Sequence, residues 1–163
     1  TPKPSSAASD VYKRQPNIQT TPLIEEALWV IGPKSSKLRP DRPVALAELA
    51  GHKLVLPSAP HGIRTLVEHA CAVAQVTLDL SAETNALSVQ RSLVLGGHGM
   101  TILPPIAVAE DLRTQKLRGA PLADPGISRT IVLALPINRP IARHVRCAVD
   151  VLTREARLSL IHI

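Results

Sequence analysis

A glycine-rich stretch is the part of this sequence that most invites comparison with a phosphate site. LVLGGHGMTILPP (93–105) places three glycines around His98. A phosphate loop follows a strand and opens a helix, because the helix N-terminus offers unpaired N–H groups to the anion. Here the predicted helix precedes the glycines, the predicted strand follows them, and no Lys-Ser or Lys-Thr pair comes next. We therefore expect a helix end, with Gly96 or Gly97 in the left-handed conformation and Gly99 in a tight turn.

Two polar loops have the order that a ligand site requires. PSAPHG (57–62) and SAETN (81–85) each connect a predicted strand to a predicted helix. In a parallel sheet both loops lie at the carboxyl ends of the strands, where ligands usually bind. The polar side chains available there are Ser58, His61, Thr84 and Asn85. These groups and the nearby backbone amides could bind an anion. The other interpretation is an ordinary turn at Ser58 and simple N-capping by Thr84 and Asn85.

Residues for catalysis or metal binding do not occur in recognisable patterns. The sequence has no GxSxG, HExxH or Walker motif, and its histidines have no ligand spacing. Glu25 and Glu26 precede a predicted strand and face opposite sides, so they do not form an acid/base pair. Cys71 and Cys147 lie far apart without a CxxC motif, which favours reduced core cysteines over a disulfide or a zinc site. We expect no catalytic residue, no metal and no cofactor.

Composition and charge exclude several classes of protein. The chain has 163 residues, of which 45% are hydrophobic and 20% charged, which suits a folded chain with a buried core. The net charge is +6, but the positive side chains are scattered, and Tyr12 and Trp29 are the only aromatic residues. A stacking platform for single-stranded nucleic acid is therefore not expected. No apolar run approaches about 18 residues, so a transmembrane helix is not expected either.

Strands and helices alternate along the predicted chain. The predicted strands are 26–31, 53–57, 76–82, 100–104 and 129–135, and the predicted helices are 44–50, 63–74, 85–95, 105–113 and 140–157. Alternation of this kind predicts an α/β fold with a mostly parallel sheet covered by helices. This is the arrangement that brings the two polar loops to one edge of the sheet.

The two ends of the chain do not continue this pattern. Residues 1–15 (TPKPSSAASDVYKRQ) have no apolar period, and residues 158–163 (LSLIHI) follow a completed helix without a turn. Both segments are similar to translated sequencing-adaptor read-through, so we expect them to be artefactual tails. The chain between them is then expected to be a fragment of a longer protein.

Four segments together resemble the effector-binding region of LysR-type transcriptional regulators. They occur in the order TPLIEEALWVIGP, LAELAGHKLVLPSAPHGIRTLVE, AETNALSVQRSLVLGGHGMTILP and LADPGISRTIVLALPINRP. The resemblance covers about residues 21–157. The most specific parts are the helix–GxG–ILP block and the polar segment before SRTIVLA. The LPSAPHGIR form is most similar to nitrogen-assimilation regulators of this bacterial family.

The resemblance implies a fold like that of type 2 periplasmic binding proteins, with two α/β lobes joined by two crossovers. Residues 16–32 would cross into the second lobe, and residues 33–124 would form that lobe completely. Residues 125–157 would make the return crossover and contribute a strand and the C-terminal helix of the first lobe. The winged helix-turn-helix, the linker helix and most of the first lobe are absent from this sequence.

The resemblance also implies a site and partners. The positions that face the effector in the family correspond to Ser58, His61, Gly62, Thr84 and Asn85, with Thr21 near the hinge. The implied partners are a small, anionic metabolite, DNA through the missing N-terminal domain, and further copies in a dimer or tetramer, with no membrane. The implied location is cytoplasmic. The alternative is a periplasmic solute-binding protein of a transporter, which needs a signal peptide upstream and which the two free cysteines disfavour.

Overall fold

The structure is a computed structural model in which residues 17–159 are described, with side chains up to residue 156. The chain divides into two units. Unit 1 contains the chain up to Glu26 and from Arg129 onward, and unit 2 contains Ala27–Ser128. Residues 1–15 and 160–163, which we predicted to be artefactual, lie outside the described residues, whereas residues 158 and 159 belong to the last helix.

The predicted alternation of strands and helices holds for residues 53–113, whereas three consecutive strands precede this part and two consecutive strands follow it. The strands are β1 Ile18–Ala27, β2 Trp29–Pro33, β3 Val44–Ala45, β4 Lys53–Leu56, β5 Asp79–Glu83, β6 Thr101–Leu103, β7 Leu117–Ala123 and β8 Ser128–Pro136. The α-helices are α1 Gly62–Ala74, α2 Leu87–Leu95, α3 Ala109–Arg113 and α4 Arg143–Ser159, and short 3₁₀ helices cover Leu46–Leu49 and Pro105–Val108. The predicted helix over 44–50 is therefore a two-residue strand followed by a 3₁₀ turn.

One strand of unit 2 runs against the other five. The sheet order is β3-β7-β2-β6, and the parallel pair β4-β5 adjoins β6 through a parallel bridge between Leu54 and Met100. β3 is parallel to β7, but β2 is antiparallel to both β6 and β7. The prediction of a mostly parallel sheet is thus correct for five strands and wrong for β2. A buried apolar strand has the same residue pattern whether it runs parallel or antiparallel to its neighbours, so the sequence does not reveal the direction of β2.

The core of unit 2 lies between the sheet and α1. Leu28, Val30 and Ile31 are fully buried around β2, as are Leu54 and Val55 in β4. The residues of α1 that are buried against them are Ile63, Leu66, Val67 and Ala70. Their i, i+3, i+4 and i+7 spacing gives one apolar face, and each large side chain contributes about 1.5–3 kcal/mol on burial. The same helical spacing also predicts Val73 on this face, but Val73 is exposed.

The helix α2 buries a different face from the one that its helical spacing predicts, which contains Leu87, Val89 and Val94. Val94 is buried, but Leu87 and Val89 are exposed and Gln90 is buried. Arg91 on the same helix forms a two-pronged ion pair with Asp111 on α3, with Nη2 of Arg91 2.7 Å from Oδ1 and Nε in contact with Oδ2. The Asp111 side chain is almost fully buried, and its hydrogen bond to Arg91 lowers the pKa of the carboxyl. This pair joins the two helices.

The strand β7 was not predicted from the sequence pattern, and neither were most of β1 and the short β3. LRGAPLA contains Gly119 and Pro121, which usually disfavour an internal strand. Nevertheless β7 lies between β3 and β2, with Gly119 opposite Ile31 and Pro121 opposite Trp29. A Cβ on Gly119 would lie 3.0–3.2 Å from the side chains of Ile31, Leu112 and Trp29. The glycine therefore makes room for the neighbouring side chains.

The glycine-rich stretch is a helix end, as predicted. Gly97 has the left-handed φ of +76°, and the N–H groups of Gly96, Gly97 and His98 donate to carbonyl oxygens of the last turn of α2. Gly99 lies against β4: a Cβ there would be 2.7 Å from the carbonyl oxygen of Lys53. Gly97 thus ends the helix, and Gly99 allows the backbone to lie close to β4.

Unit 1 contains β1, β8 and α4. Arg129 Nε donates to Glu26 Oε2 at 2.7 Å, and Asn138 Nδ2 donates to Asn17 Oδ1 at 2.8 Å. The beginning of β8 therefore lies beside the end of β1, so the two paired strands are antiparallel. Over residues 17–159, no helix combines the length and the apolar character needed to span a bilayer.

Candidate functional site

The two polar loops meet at one edge of unit 2. Because β4 and β5 are parallel neighbours, both loops leave the sheet at the carboxyl ends of these strands. The backbone N–H of Ser58 donates to Asn85 Oδ1 at 3.1 Å, and the N–H of Thr84 donates to the carbonyl oxygen of Leu56 at 3.0 Å. The loops are thus hydrogen-bonded to each other directly.

Arg64, which is not among the predicted site residues, holds the same two loops together. Its Nη1 donates to Glu83 Oε1 at 2.5 Å and to the carbonyl oxygen of Pro57 at 3.2 Å, while its Nε donates to Glu68 Oε1 at 2.6 Å. The hydrogen bond to Glu83 is the main cause that raises the pKa of Arg64; burial opposes it and Glu68 adds to it. The i, i+4 pair with Glu68 was visible in the sequence, but the cross-loop contacts were not.

His61 is the N-cap of α1. Its Nδ1 accepts from the N–H of Ile63 at 3.2 Å, and its carbonyl oxygen accepts from the N–H of Thr65 at 2.9 Å. This leaves Nε2 as the other polar atom of the half-buried ring. Gly62, the first residue of the helix, has open space where a side chain would be, with nothing within 4 Å of a Cβ. The loop therefore leaves room above the start of α1.

Asn85 and Thr84 do not cap α2 in the expected manner. The N-cap residue is Ala86, which makes no side-chain hydrogen bond, and Thr84 Oγ1 accepts from its N–H at 3.3 Å. The N–H groups of Leu87 and Ser88 have no acceptor among the described residues. The first turn of α2 therefore has donors available for an anion. Glu83 is the one acidic residue of either loop, and Arg64 neutralises it.

The predicted site residues are thus divided between the units. Unit 2 brings together Ser58, His61, Gly62, Thr84 and Asn85 on adjoining loops. Thr21 is an exposed residue of β1 and belongs to unit 1.

The cysteines differ in their surroundings. Cys71 on α1 is half-buried, and burial together with the charge of Glu68 raises the pKa of its thiol. Cys147 on α4 is exposed, so the prediction that both cysteines are core residues is wrong for this one. In the part of the chain that the structure describes, no group of three or more His, Cys, Asp or Glu side chains could hold a metal ion.

Comparison with known proteins gives consistent matches. The family described as LysR substrate binding domain matches residues 7–157. The chain is 32% identical over 142 residues to the HTH-type transcriptional regulator BbuR of Bordetella bronchiseptica, covering 87% of this chain and 44% of the relative. It is 27% identical over 127 residues to a probable nitrogen assimilation transcriptional activator of Synechococcus elongatus, covering 76% and 41%. The chain therefore spans less than half the length of these relatives.

The fold is also found among solved structures. The effector binding domain of QuiR in complex with shikimate aligns with a TM-score of 0.73 at 19% identity, over 94% of this chain and 79% of that chain. This confirms the predicted α/β fold of the type 2 periplasmic-binding-protein kind. The extent of the family match and the identity with BbuR show that the chain belongs to the LysR substrate-binding domain family.

Proposed function

We propose that this chain is the effector-sensing part of a LysR-type transcriptional regulator and that its two joined loops bind a small, anionic metabolite. The observation that supports this most directly is the hydrogen bond from the Ser58 N–H to Asn85 Oδ1, which fixes the loops side by side at the start of two helices. The groups that would bind the effector are Ser58, His61, Gly62, Thr84 and Asn85. The assignment of Thr21 rests on the resemblance alone.

The charge distribution favours an anion. The N-termini of α1 and α2 both follow the carboxyl ends of the parallel strands, and each contributes on the order of 0.3–1 kcal/mol to holding a negative charge. The unpaired N–H groups of Leu87 and Ser88 add directed donors. Since Glu83 is paired with Arg64, its charge opposes an anionic ligand less than a free carboxylate would.

The regulatory part of the proposal follows from the family. The effector changes the state of the regulator to the extent that its affinities for the two states differ. DNA is bound through an N-terminal domain that this sequence does not contain, and the complete protein acts in the cytoplasm as a homodimer or tetramer. The effector-binding lobe comprises residues 33–124 together with β2, a central strand of the same sheet. The crossovers are then the segments that precede Ala27 and follow Ser128. We propose no catalytic role and no cofactor.

The experiment is a ligand screen by thermal unfolding of the chain with a panel of carboxylates and phosphate esters. A binder raises the unfolding midpoint by mass action. We expect Thr84→Ala and Asn85→Ala to reduce this stabilisation, because each removes a polar group from the loops. The matched control is Thr77→Ala, since Thr77 is exposed and precedes the same strand, β5, at its opposite end. A ligand that stabilises Thr84→Ala and Asn85→Ala as much as it stabilises the Thr77→Ala control and the unmodified chain would contradict the proposed site.

The gene sequence distinguishes the regulator from the competing function, which is solute capture for a transporter. The two relatives compared above are both transcriptional regulators. Reading the source DNA upstream of the codon for Pro16 provides the direct test. A continuous frame encoding a helix-turn-helix supports the regulator, whereas a frame that begins with a signal peptide makes the protein a transport component.

A further inference from the structure

The edge of unit 2 opposite the two loops contains a cavity. It has a volume of about 530 Å³ and lies beside the amino end of β4, between the segment after β2 and the 3₁₀ turn at Leu46–Leu49. A smaller cavity of about 210 Å³ adjoins it, because His52 and Met100 line both. The glycine-rich turn at 97–99 forms one wall of the smaller cavity. This volume is in the range of small-molecule sites, which is about 300–1,000 Å³.

The lining of the larger cavity combines cations with an apolar floor. Its basic side chains are Lys37, Arg39, Arg42 and His52, and its apolar side chains are Leu38, Val44, Leu49 and Met100. Leu38 and Leu49 are buried residues of the main core, so this floor is part of the folded unit. The smaller cavity adds Lys53 and His98 to the basic set. The apolar floor favours the body of a ligand, while the cations favour a negatively charged end.

The negative charge needed to balance these cations is largely absent from the protein. Glu48 is the one carboxylate in the lining, and its Oε1 accepts a hydrogen bond from the N–H of Ala45. Arg39 is paired with Asp41, and both side chains are about two-thirds exposed. Lys37 and Arg42 have no carboxylate partner within ion-pairing distance among the described residues. Two cations at the rim are therefore available to a ligand.

From these observations we propose that this cavity is a second ligand site, which binds a small amphiphilic anion: a carboxylate or phosphate ester on an apolar body. Lys37 and Arg42 bind the anionic group, and Leu38, Leu49 and Met100 contact the apolar part. The site differs from the effector loops in place and in the source of its positive charge. It depends on side-chain cations at the amino end of β4, whereas the loops depend on backbone N–H groups at the carboxyl end.

The test uses phenyl phosphate as the probe, with benzyl alcohol as its neutral counterpart. Isothermal titration calorimetry measures the affinity, and amide chemical shifts in an isotope-labelled sample locate the site. We expect phenyl phosphate to bind and to shift the amides of His52, Gly97 and Gly99, and we expect benzyl alcohol to bind far more weakly. The amide shifts of the unmodified chain test the location without depending on any variant.

The variants distinguish a site from a general effect of charge. Arg42→Gln and Lys37→Gln should each weaken binding about tenfold, the effect of losing one charge-assisted hydrogen bond. Lys34→Gln removes the same charge from the same segment, but Lys34 lines neither cavity, so it should change the affinity by less than about twofold. Asn85→Ala should leave the shifts that phenyl phosphate causes at the amides of His52, Gly97 and Gly99 unchanged, which separates this site from the proposed effector loops.

Three results would overturn the proposal. The first is no detectable binding of phenyl phosphate up to millimolar concentrations. The second is equal weakening by Lys34→Gln and Arg42→Gln, which would indicate an unspecific response to net charge. The third is a set of shifted amides confined to the two loops around Ser58 and Asn85, which would place the probe in the effector site.

Discussion

Replacing Arg64 with methionine tests whether one side chain holds the two ligand loops together. Arg64 makes hydrogen bonds to three acceptors, yet its side chain is only 14% exposed. Methionine retains much of the aliphatic packing and removes all three bonds. The variant therefore reports mainly on the polar contacts rather than on loss of core volume.

The expected cost follows from the surroundings of each acceptor. The carboxylates of Glu83 and Glu68 are 45% and 54% exposed, so each ion pair contributes on the order of 0.3–1 kcal/mol. The carbonyl oxygen of Pro57 belongs to a buried residue, and losing its hydrogen bond costs about 1 kcal/mol. Arg64→Met should therefore lower the free energy of unfolding by roughly 2 kcal/mol. Arg64→Lys should recover less than half of this, because an ammonium group lacks the planar fork.

The assay is urea unfolding of the chain, evaluated by the transition midpoint at unchanged slope. Double-mutant cycles with Glu83→Gln and Glu68→Gln then separate the two pairs. We expect the larger coupling with Glu83, because that hydrogen bond dominates the raised pKa of Arg64. A loss below about 0.5 kcal/mol for Arg64→Met, which is the size of an ordinary surface substitution, would refute this reasoning. A larger coupling with Glu68 than with Glu83 would also refute it.

Three further results are expected. Asp111→Asn should destabilise the chain by about 1–3 kcal/mol at neutral pH. Because the pKa of Asp111 is lowered in the folded state, its ion pair contributes fully to the free energy of unfolding above the unfolded pKa of about 4, and this contribution is lost as the pH falls towards the folded pKa. The free energy of unfolding of Asp111→Asn should therefore decrease less at acidic pH than that of the unmodified chain. An equal pH dependence of the two unfolding curves would contradict this. Gly99→Ala should cost about 1–3 kcal/mol, since its Cβ would meet a backbone oxygen of β4, whereas Gly62→Ala, with open space, should change unfolding by less than about 0.5 kcal/mol. In mass-spectrometric alkylation at neutral pH, Cys147 should react before Cys71, because burial raises the pKa of the latter; the reverse order would show that α1 opens readily.

The parts of the fold that could be predicted are those where local pattern and tertiary contact agree. The apolar face of α1 has the helical period from Ile63 to Ala70, and the structure buries it. Gly97 was one of two candidates for the left-handed position, and its φ of +76° selects it. The order strand, polar loop, helix also predicted that 57–62 and 81–85 would lie at one edge.

The remaining features depend on contacts that are distant in sequence. Leu87 and Val89 were expected to be buried, but the ion pair between Arg91 and Asp111 fixes another face of α2 against the unit. Nothing local to α2 specifies its partner 20 residues away. The role of Asn85 is of the same kind, because its acceptor oxygen is used by Ser58, 27 residues earlier, rather than by its own helix. The residue type of Asn85 favours an N-cap of α2, but its side-chain oxygen instead accepts a hydrogen bond from the neighbouring loop.

The position of β2 in the middle of the sheet also has a consequence during biosynthesis. Both partners of β2 are made much later than β2 itself: β6 starts at Thr101 and β7 at Leu117. At a translation rate of roughly 5–20 residues per second, the apolar segment around Val30 remains unpaired for several seconds before either neighbouring strand has been synthesised. By contrast, β4, α1 and β5 follow one another directly and can associate as soon as they leave the ribosome. We therefore expect the segment around Val30 to be the one that a nascent-chain chaperone covers until β6 and β7 have emerged.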